Sequence, residues 1–133
     1  MGLILDSSVL ISIEKELFDF GKIESVESVF ISAITITELL EGVLRANTLE
    51  RRLKRSAFVE HVIGSIPALP FSEEEARIYA QLLSSLRDKH TTLGAHDLII
   101  ASTAIAGGHK VVTFDNSDFR RIPGVEIIAP QDL

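Results

Sequence analysis

Four short, mainly apolar runs along the chain predict β-strands. They lie at residues 2–5, 29–31, 111–114 and 125–128, and a polar residue or a turn signal follows each one. Within most of them apolar residues follow one another without alternation, which is typical of strands buried on both faces of a parallel sheet.

Between these runs, apolar residues recur every three or four positions, as they do along one face of a helix. The clearest case covers residues 76–86, where Ser72 and Glu75 form a capping box ahead of the pattern. A further apolar run at 98–106 ends at two glycines, which is typical of a helix C-terminus. Another helix is marked by Leu49, Leu53 and Ala57, with Arg51, Arg52, Lys54 and Arg55 on its polar side.

The order of strands and helices predicts an α/β fold. We expect a single domain over residues 1–133, with a central, mostly parallel sheet of about four to five strands flanked by helices. Hydrophobic residues make up 46% of the chain and charged residues 24%, as in ordinary globular proteins. The sequence has no cysteine, which excludes disulfides and thiolate metal sites. It shows no signal peptide and no apolar run of membrane-spanning length, so a cytoplasmic location is expected.

Four acidic residues lie where the chemistry of such a fold is expected. Asp6 and Asp115 follow the first and third predicted strands, and Glu38 lies in the first turn of the helix after the second strand. Asp97 opens the most apolar helix. Because functional crevices of parallel sheets lie beyond the carboxyl ends of the strands, we expect these carboxylates at one edge of the sheet.

Each acid also has a purely structural interpretation. Asp6 is a possible N-cap, Glu38 can form a capping box with Thr35, Asp97 suits a helix dipole, and Asp115 suits a turn. Their conjunction favours a site, because four carboxylates that converge repel one another unless a cation lies among them. An all-oxygen ligand set favours Mg²⁺ or Mn²⁺, which assists hydrolysis of phosphate esters.

Four segments resemble the motifs of the PIN-domain family, and especially those of the short VapC-type toxins of prokaryotic toxin–antitoxin pairs. They are LDSSVLI at 5–11, SAITITEL at 32–39, GAHDLIIA at 94–101, and TFDNSDF at 113–119 with Pro-Gly-Val at 123–125. By this resemblance the catalytic and metal-binding acids are Asp6, Glu38, Asp97 and Asp115. The resemblance implies an Mg²⁺- or Mn²⁺-dependent endoribonuclease that cleaves a tRNA or ribosomal RNA loop, forms a homodimer and is silenced by a cognate antitoxin.

Several secondary expectations accompany this interpretation. Ser8 and Thr113 are expected to hydrogen-bond the carboxylates, Asp118 to cap the segment around Phe119, and His96 to lie in solvent. Apolar stretches at 9–13 and 39–44 are candidates for the dimer surface.

The net charge of −6 is unusual for a protein that binds nucleic acid, but the four candidate acids account for most of it. Basic residues at 45–55 and 120–121 form either solvated helix surface or a phosphate-binding surface. A catalytically inactive, metal-binding module that acts through a partner and a DNA nuclease remain the alternatives.

Overall fold

The computed structural model describes residues 2–25 and 28–133 of the chain. Five strands form one sheet: β1 (Gly2–Leu5), β2 (Ser28–Ser32), β3 (Ala68–Leu69), β4 (Lys110–Val112) and β5 (Ile127–Ile128). The helices within this part of the chain are α1 (Ser7–Glu14), α2 (Gly21–Glu24), α3 (Ala33–Leu44), α4 (Leu49–Ser65), α5 (Glu73–Asp88), α6 (Ala95–Gly107) and α7 (Asn116–Phe119). A 3₁₀ turn at Pro130–Asp132 ends the chain.

The sheet is entirely parallel, with strand order β3-β2-β1-β4-β5. This confirms the predicted α/β architecture of four to five strands. Sequence patterns did not predict β3, because its two residues lie between Pro67 and Pro70 and the strand sits at an edge of the sheet. The strand predicted at 111–114 instead ends at Val112, so Thr113 and Phe114 belong to the loop that leads to Asp115.

The core lies on both faces of the sheet, which explains the unbroken apolar runs. Leu3 and Leu5 of β1 pack with α1, α3 and α4 on one face, whereas Ile4 packs with α5, α6 and Phe119 on the other. All three β1 side chains are essentially inaccessible to solvent. β1 lies at the centre of the sheet and is covered on both faces. Its carboxyl end is therefore held rigidly, and so is the residue that directly follows it.

The predicted helices form, with one correction. The capping box of Ser72 and Glu75 opens α5, and α6 ends at Gly108, whose φ of 68° is the left-handed conformation that glycine adopts readily. The prediction that Leu49 and Leu53 lie on the buried face of α4 is wrong, because they are 72% and 62% exposed. The helix buries Val59 and Val62 instead, on its second half.

Among the described residues, even the most apolar helix is too short to cross a bilayer.

Candidate active site

Asp6 lies directly beyond β1 at the carboxyl edge of the sheet. It occupies the N-cap position of α1, but within the described residues its carboxylate accepts no backbone N–H bond from that helix. The interpretation of Asp6 as the N-cap residue is therefore right for its position, but its side chain does not cap the helix. Its Oδ2 instead accepts hydrogen bonds from the Ser8 hydroxyl at 3.0 Å and the Thr113 hydroxyl at 2.9 Å. Asp6 is 8% exposed, so these two bonds fix a carboxylate that solvent barely reaches.

Thr113 links Asp6 to the loop that follows β4. Its hydroxyl donates to Asp6 and accepts the backbone N–H of Asp115 at 3.0 Å, and its side chain is fully buried. The expectation that Ser8 and Thr113 support the carboxylates is confirmed for Asp6. Asp115 itself is exposed at the start of α7, where its Oδ1 accepts a bond from the Ser117 hydroxyl.

Glu38 projects into the same region from α3, although it lies in the second turn of that helix and not in the first. The capping-box interpretation is wrong, because α3 begins one turn earlier, with Ser32 as its N-cap. Burial raises the pKa of Glu38, and the nearby Asp6 raises it further, while the imidazole of His96 opposes the rise. Its Oε1 atom is buried and has no hydrogen-bond partner among the described residues.

Asp97, in the first turn of α6, shows that the acids converge. Its pKa is raised from 3.8 to about 6, first by burial and then by the charges of four further carboxylates. They belong to Asp6, Asp118, Glu38 and Asp115, in order of decreasing effect. A carboxylate that interacts with four others cannot be explained by a helix dipole alone, since that dipole favours the charged form.

His96 is exposed, as expected of a solvated residue at a helix end, and it also approaches Glu38. Its side chain is half exposed, but Nδ1 lies 3.7 Å from Oε2 of Glu38. Adjacent residues on a helix point in different directions, so His96 and Asp97 do not face the same side of α6. This does not prevent His96 from contacting α3. The packing of α6 against α3, which the sequence does not encode locally, brings this imidazole to Glu38.

Asp118 has two roles in the structure. It forms an ion pair with Arg121 at 2.6 Å within α7 and the residues that follow, and its charge raises the pKa of Asp97. The cap of α7 is Asp115, so the expectation that Asp118 caps this segment is wrong.

The donors present fit a hydrated hard cation better than a closed cage. Among residues 2–25 and 28–133, no group of three or more His, Cys, Asp or Glu side chains has the spacing to hold a metal ion. Mg²⁺, however, usually binds through one or two carboxylates and keeps several waters. The unpartnered buried oxygen of Glu38 and the mutual repulsion at Asp97 are what an oxygen-ligated cation would relieve.

The basic residues at 45–55 are largely engaged in the α3–α4 junction. Arg52 and Arg55 donate to the carbonyls of Leu44 and Gly42 near the end of α3, at 3.3 and 3.0 Å. Arg45 pairs with Glu41. A structural role therefore explains much of this cluster, and Arg120 is an exposed cation nearer to the Asp115 loop.

Known proteins resemble this chain in sequence. The family model described as the PIN domain matches residues 3–125. Ribonuclease VapC1 of Rickettsia felis is 39% identical over 128 residues, which cover 96% of each chain. The tRNA(fMet)-specific endonuclease VapC of Salmonella typhimurium is 36% identical over 97 residues, covering 73% of this chain and 71% of that protein.

A solved structure is similar over nearly the full length. The crystal structure of DNA-bound VapBC from Salmonella typhimurium contains a chain that matches 98% of this one with a TM-score of 0.88, at 27% identity and 98% coverage of that chain. Sequence and structure thus agree on one family, and the four acids lie within the matched region.

Proposed function

The chain belongs to the PIN-domain family, with VapC-type relatives, and from that premise we propose that it is a divalent-metal-dependent endoribonuclease, the toxin of a VapBC-type pair. The observation that carries the proposal is the hydrogen-bonded link from Asp6 through Thr113 to the backbone of Asp115 at the carboxyl edge of the sheet, with Glu38 and Asp97 close enough to Asp6 that its charge raises the pKa of both. The centre of this site is Asp97, whose pKa of about 6 reflects burial beside the other acids.

Asp6, Glu38, Asp97 and Asp115 are the residues that would hold Mg²⁺ or Mn²⁺, directly or through water. Bound there, the ion would lower the pKa of a coordinated water and would neutralise the negative charge that develops on the phosphate during hydrolysis. The chain orients the Asp6 carboxylate, because Ser8 and Thr113 hydrogen-bond one of its oxygens and leave the other available. Glu38 offers a buried oxygen that is not engaged elsewhere among the described residues.

RNA is favoured over DNA by the names of the relatives, which are ribonucleases and a tRNA-specific endonuclease. The proposed substrate is an RNA loop, such as that of a tRNA or ribosomal RNA, because splayed strands expose the phosphodiester to a shallow edge. Cleavage of such RNA would take place in the cytoplasm. An inactive module is disfavoured, because it has no need to keep acids whose repulsion costs stability.

We also propose a homodimer and a cognate antitoxin. The stretches first considered for the dimer are only partly available, since Val9, Leu10 and Leu39 are buried. Leu40 and Leu44 of the second stretch remain exposed on α3, as do Leu49 and Leu53 on the neighbouring α4. Exposed leucines on two packed helices suit a chain that binds a second copy or an antitoxin segment.

The test is cleavage of total RNA by the purified chain with Mn²⁺ or with EDTA. We expect cleavage only with the metal ion, and loss of cleavage in Glu38→Gln. The matched control is Glu41→Gln, on the same helix and 58% exposed in its pair with Arg45, which should leave the rate unchanged. Cleavage by Glu38→Gln at the wild-type rate would refute the assigned site.

A further inference from the structure

Phe114 is an exposed aromatic side chain at the edge of the acidic cluster. It lies between Thr113, which is buried and bonded to Asp6, and Asp115. The residue is 46% exposed, although contact between water and an apolar ring is unfavourable. The β4–α7 loop thus presents a large flat apolar surface one residue from a proposed metal-binding acid.

One contact holds the backbone of Phe114 and another holds its ring. The backbone N–H of Phe114 donates to the Ser8 hydroxyl at 3.2 Å, and that hydroxyl donates to Asp6 Oδ2 at 3.0 Å. The Phe18 ring lies perpendicular to it, with centroids 6.0 Å apart, and Phe18 itself packs against the core. One hydroxyl therefore connects the loop that carries the ring to the Asp6 carboxylate.

The surroundings of Phe114 favour a nucleobase over a protein partner. The exposed residues that follow it, Asp115 and Ser117, are polar, and the leucines of α3 and α4 lie on other elements; the exposed Leu17 beside Phe18 is a single apolar side chain. A protein interface needs a contiguous apolar patch, whereas an unpaired base needs only one aromatic face. The perpendicular contact with Phe18 leaves Phe114 46% exposed, and this exposed surface is available to a base.

We propose that Phe114 is a stacking platform for an unpaired base next to the phosphate that is cleaved. This rests on the proposed ribonuclease function and specifies how substrate is held. Stacking on an aromatic face tolerates any base but requires that the base be unpaired. Phe114 therefore selects single-stranded regions without selecting sequence, and it acts on substrate binding more than on the chemical step.

Kinetics with a short unstructured RNA test the platform. Phe114→Ala should raise KM roughly ten- to one-hundred-fold with little change in kcat, since truncation removes the stacking surface. Phe114→Tyr should keep the wild-type KM. Phe71→Ala is the matched control, because Phe71 is 42% exposed and also makes a perpendicular aromatic contact, but with Tyr79 of α5 and outside the residues assigned to the site.

A binding measurement separates this inference from the catalytic proposal. The chain contains no tryptophan, so Phe114→Trp and Phe71→Trp each introduce a single indole fluorophore. In the Asp97→Asn background, which should not cleave, single-stranded RNA should quench the indole at 114 and leave the one at 71 unchanged. Duplex RNA should quench neither.

Three results would overturn the platform. The first is an unquenched indole at 114 while RNA binds, and the second is a Phe114→Ala enzyme with the wild-type KM. The third is a Phe114→Ala enzyme with unchanged RNA kinetics but a shifted oligomeric mass, which would assign the ring to a protein interface. Failure of wild type to cleave RNA would instead refute the proposed function, and the quenching result would still decide whether a base stacks on residue 114.

Discussion

Replacing Asp97 with asparagine should stabilise the chain in EDTA while it abolishes cleavage. In the folded protein the Asp97 carboxylate is held among four other acids in a half-buried position, so its ionised form is unfavourable. Asparagine keeps the shape and removes the charge. If Asp97 were only a first-turn acid that complements the α6 dipole, the same change would cost a few tenths of a kcal/mol to about 1 kcal/mol. The two interpretations therefore predict opposite signs.

The magnitude follows from the pKa of Asp97, which rises from 3.8 to about 6. At 1.36 kcal/mol per pKa unit, the ionised form is disfavoured by at most about 3 kcal/mol. Solvent reaches part of the side chain and screens its neighbours, so we expect roughly half of that, about 1.5 kcal/mol. Because the folded pKa lies above the unfolded one, the folded chain takes up a proton as pH falls, and the wild-type penalty disappears below about pH 4.

Urea denaturation in EDTA at about pH 8 and about pH 4 tests this. Asp97→Asn should exceed wild type in free energy of unfolding at the higher pH and match it at the lower. Mn²⁺ should then stabilise wild type more than the variant, since a ligand stabilises the state that binds it. The control is Glu74→Gln, a first-turn acid of α5, which should show no gain at either pH. A destabilised Asp97→Asn in EDTA at the higher pH would refute the reasoning.

Three further predictions concern the support of the site and its assembly. Thr113→Val should lower the free energy of unfolding by roughly 1–3 kcal/mol in urea titration and should reduce cleavage. Thr113→Ser should retain the stability and the cleavage, because only valine leaves Asp6 and the Asp115 N–H without their shared partner. Arg55→Met should cost about 1 kcal/mol in the same assay by freeing the Gly42 carbonyl, and the exposed Lys54→Met should cost almost nothing. Light scattering should give twice the mass of one chain; a monomer at micromolar concentration would contradict the dimer.

The features that follow from local pattern were predictable from the sequence. Continuous apolar runs identified β1, β2 and β4 because both faces of these strands are buried. The carboxyl-end rule for parallel strands then predicts Asp6 and Asp115 at one edge of the sheet. The capping box at Ser72 and the glycine end of α6 were equally local signals.

Features that depend on packing between distant elements were not predictable. The two-residue strand β3 has no periodicity to detect, and it exists because Ile31 and Ser32 offer a paired edge. Leu49 and Leu53 have helical spacing, yet α4 buries its other end against the sheet. His96 reaches Glu38 only because α6 crosses near α3, a contact that spans 58 positions of sequence.

The chemical nature of the cleaved RNA ends tests the central claim most directly. If water assisted by a bound divalent ion attacks the phosphodiester, the bond to the 3′ oxygen breaks and the fragments carry a 5′-phosphate and a 3′-hydroxyl. Such ends join directly with RNA ligase, without kinase or phosphatase treatment. The competing route is attack by the neighbouring 2′-hydroxyl, for which an imidazole such as that of His96, 3.7 Å from Glu38, is a suitable base. The account predicts direct ligation and no cleavage in EDTA; 2′,3′-cyclic phosphate ends, or cleavage undiminished in EDTA, would contradict it.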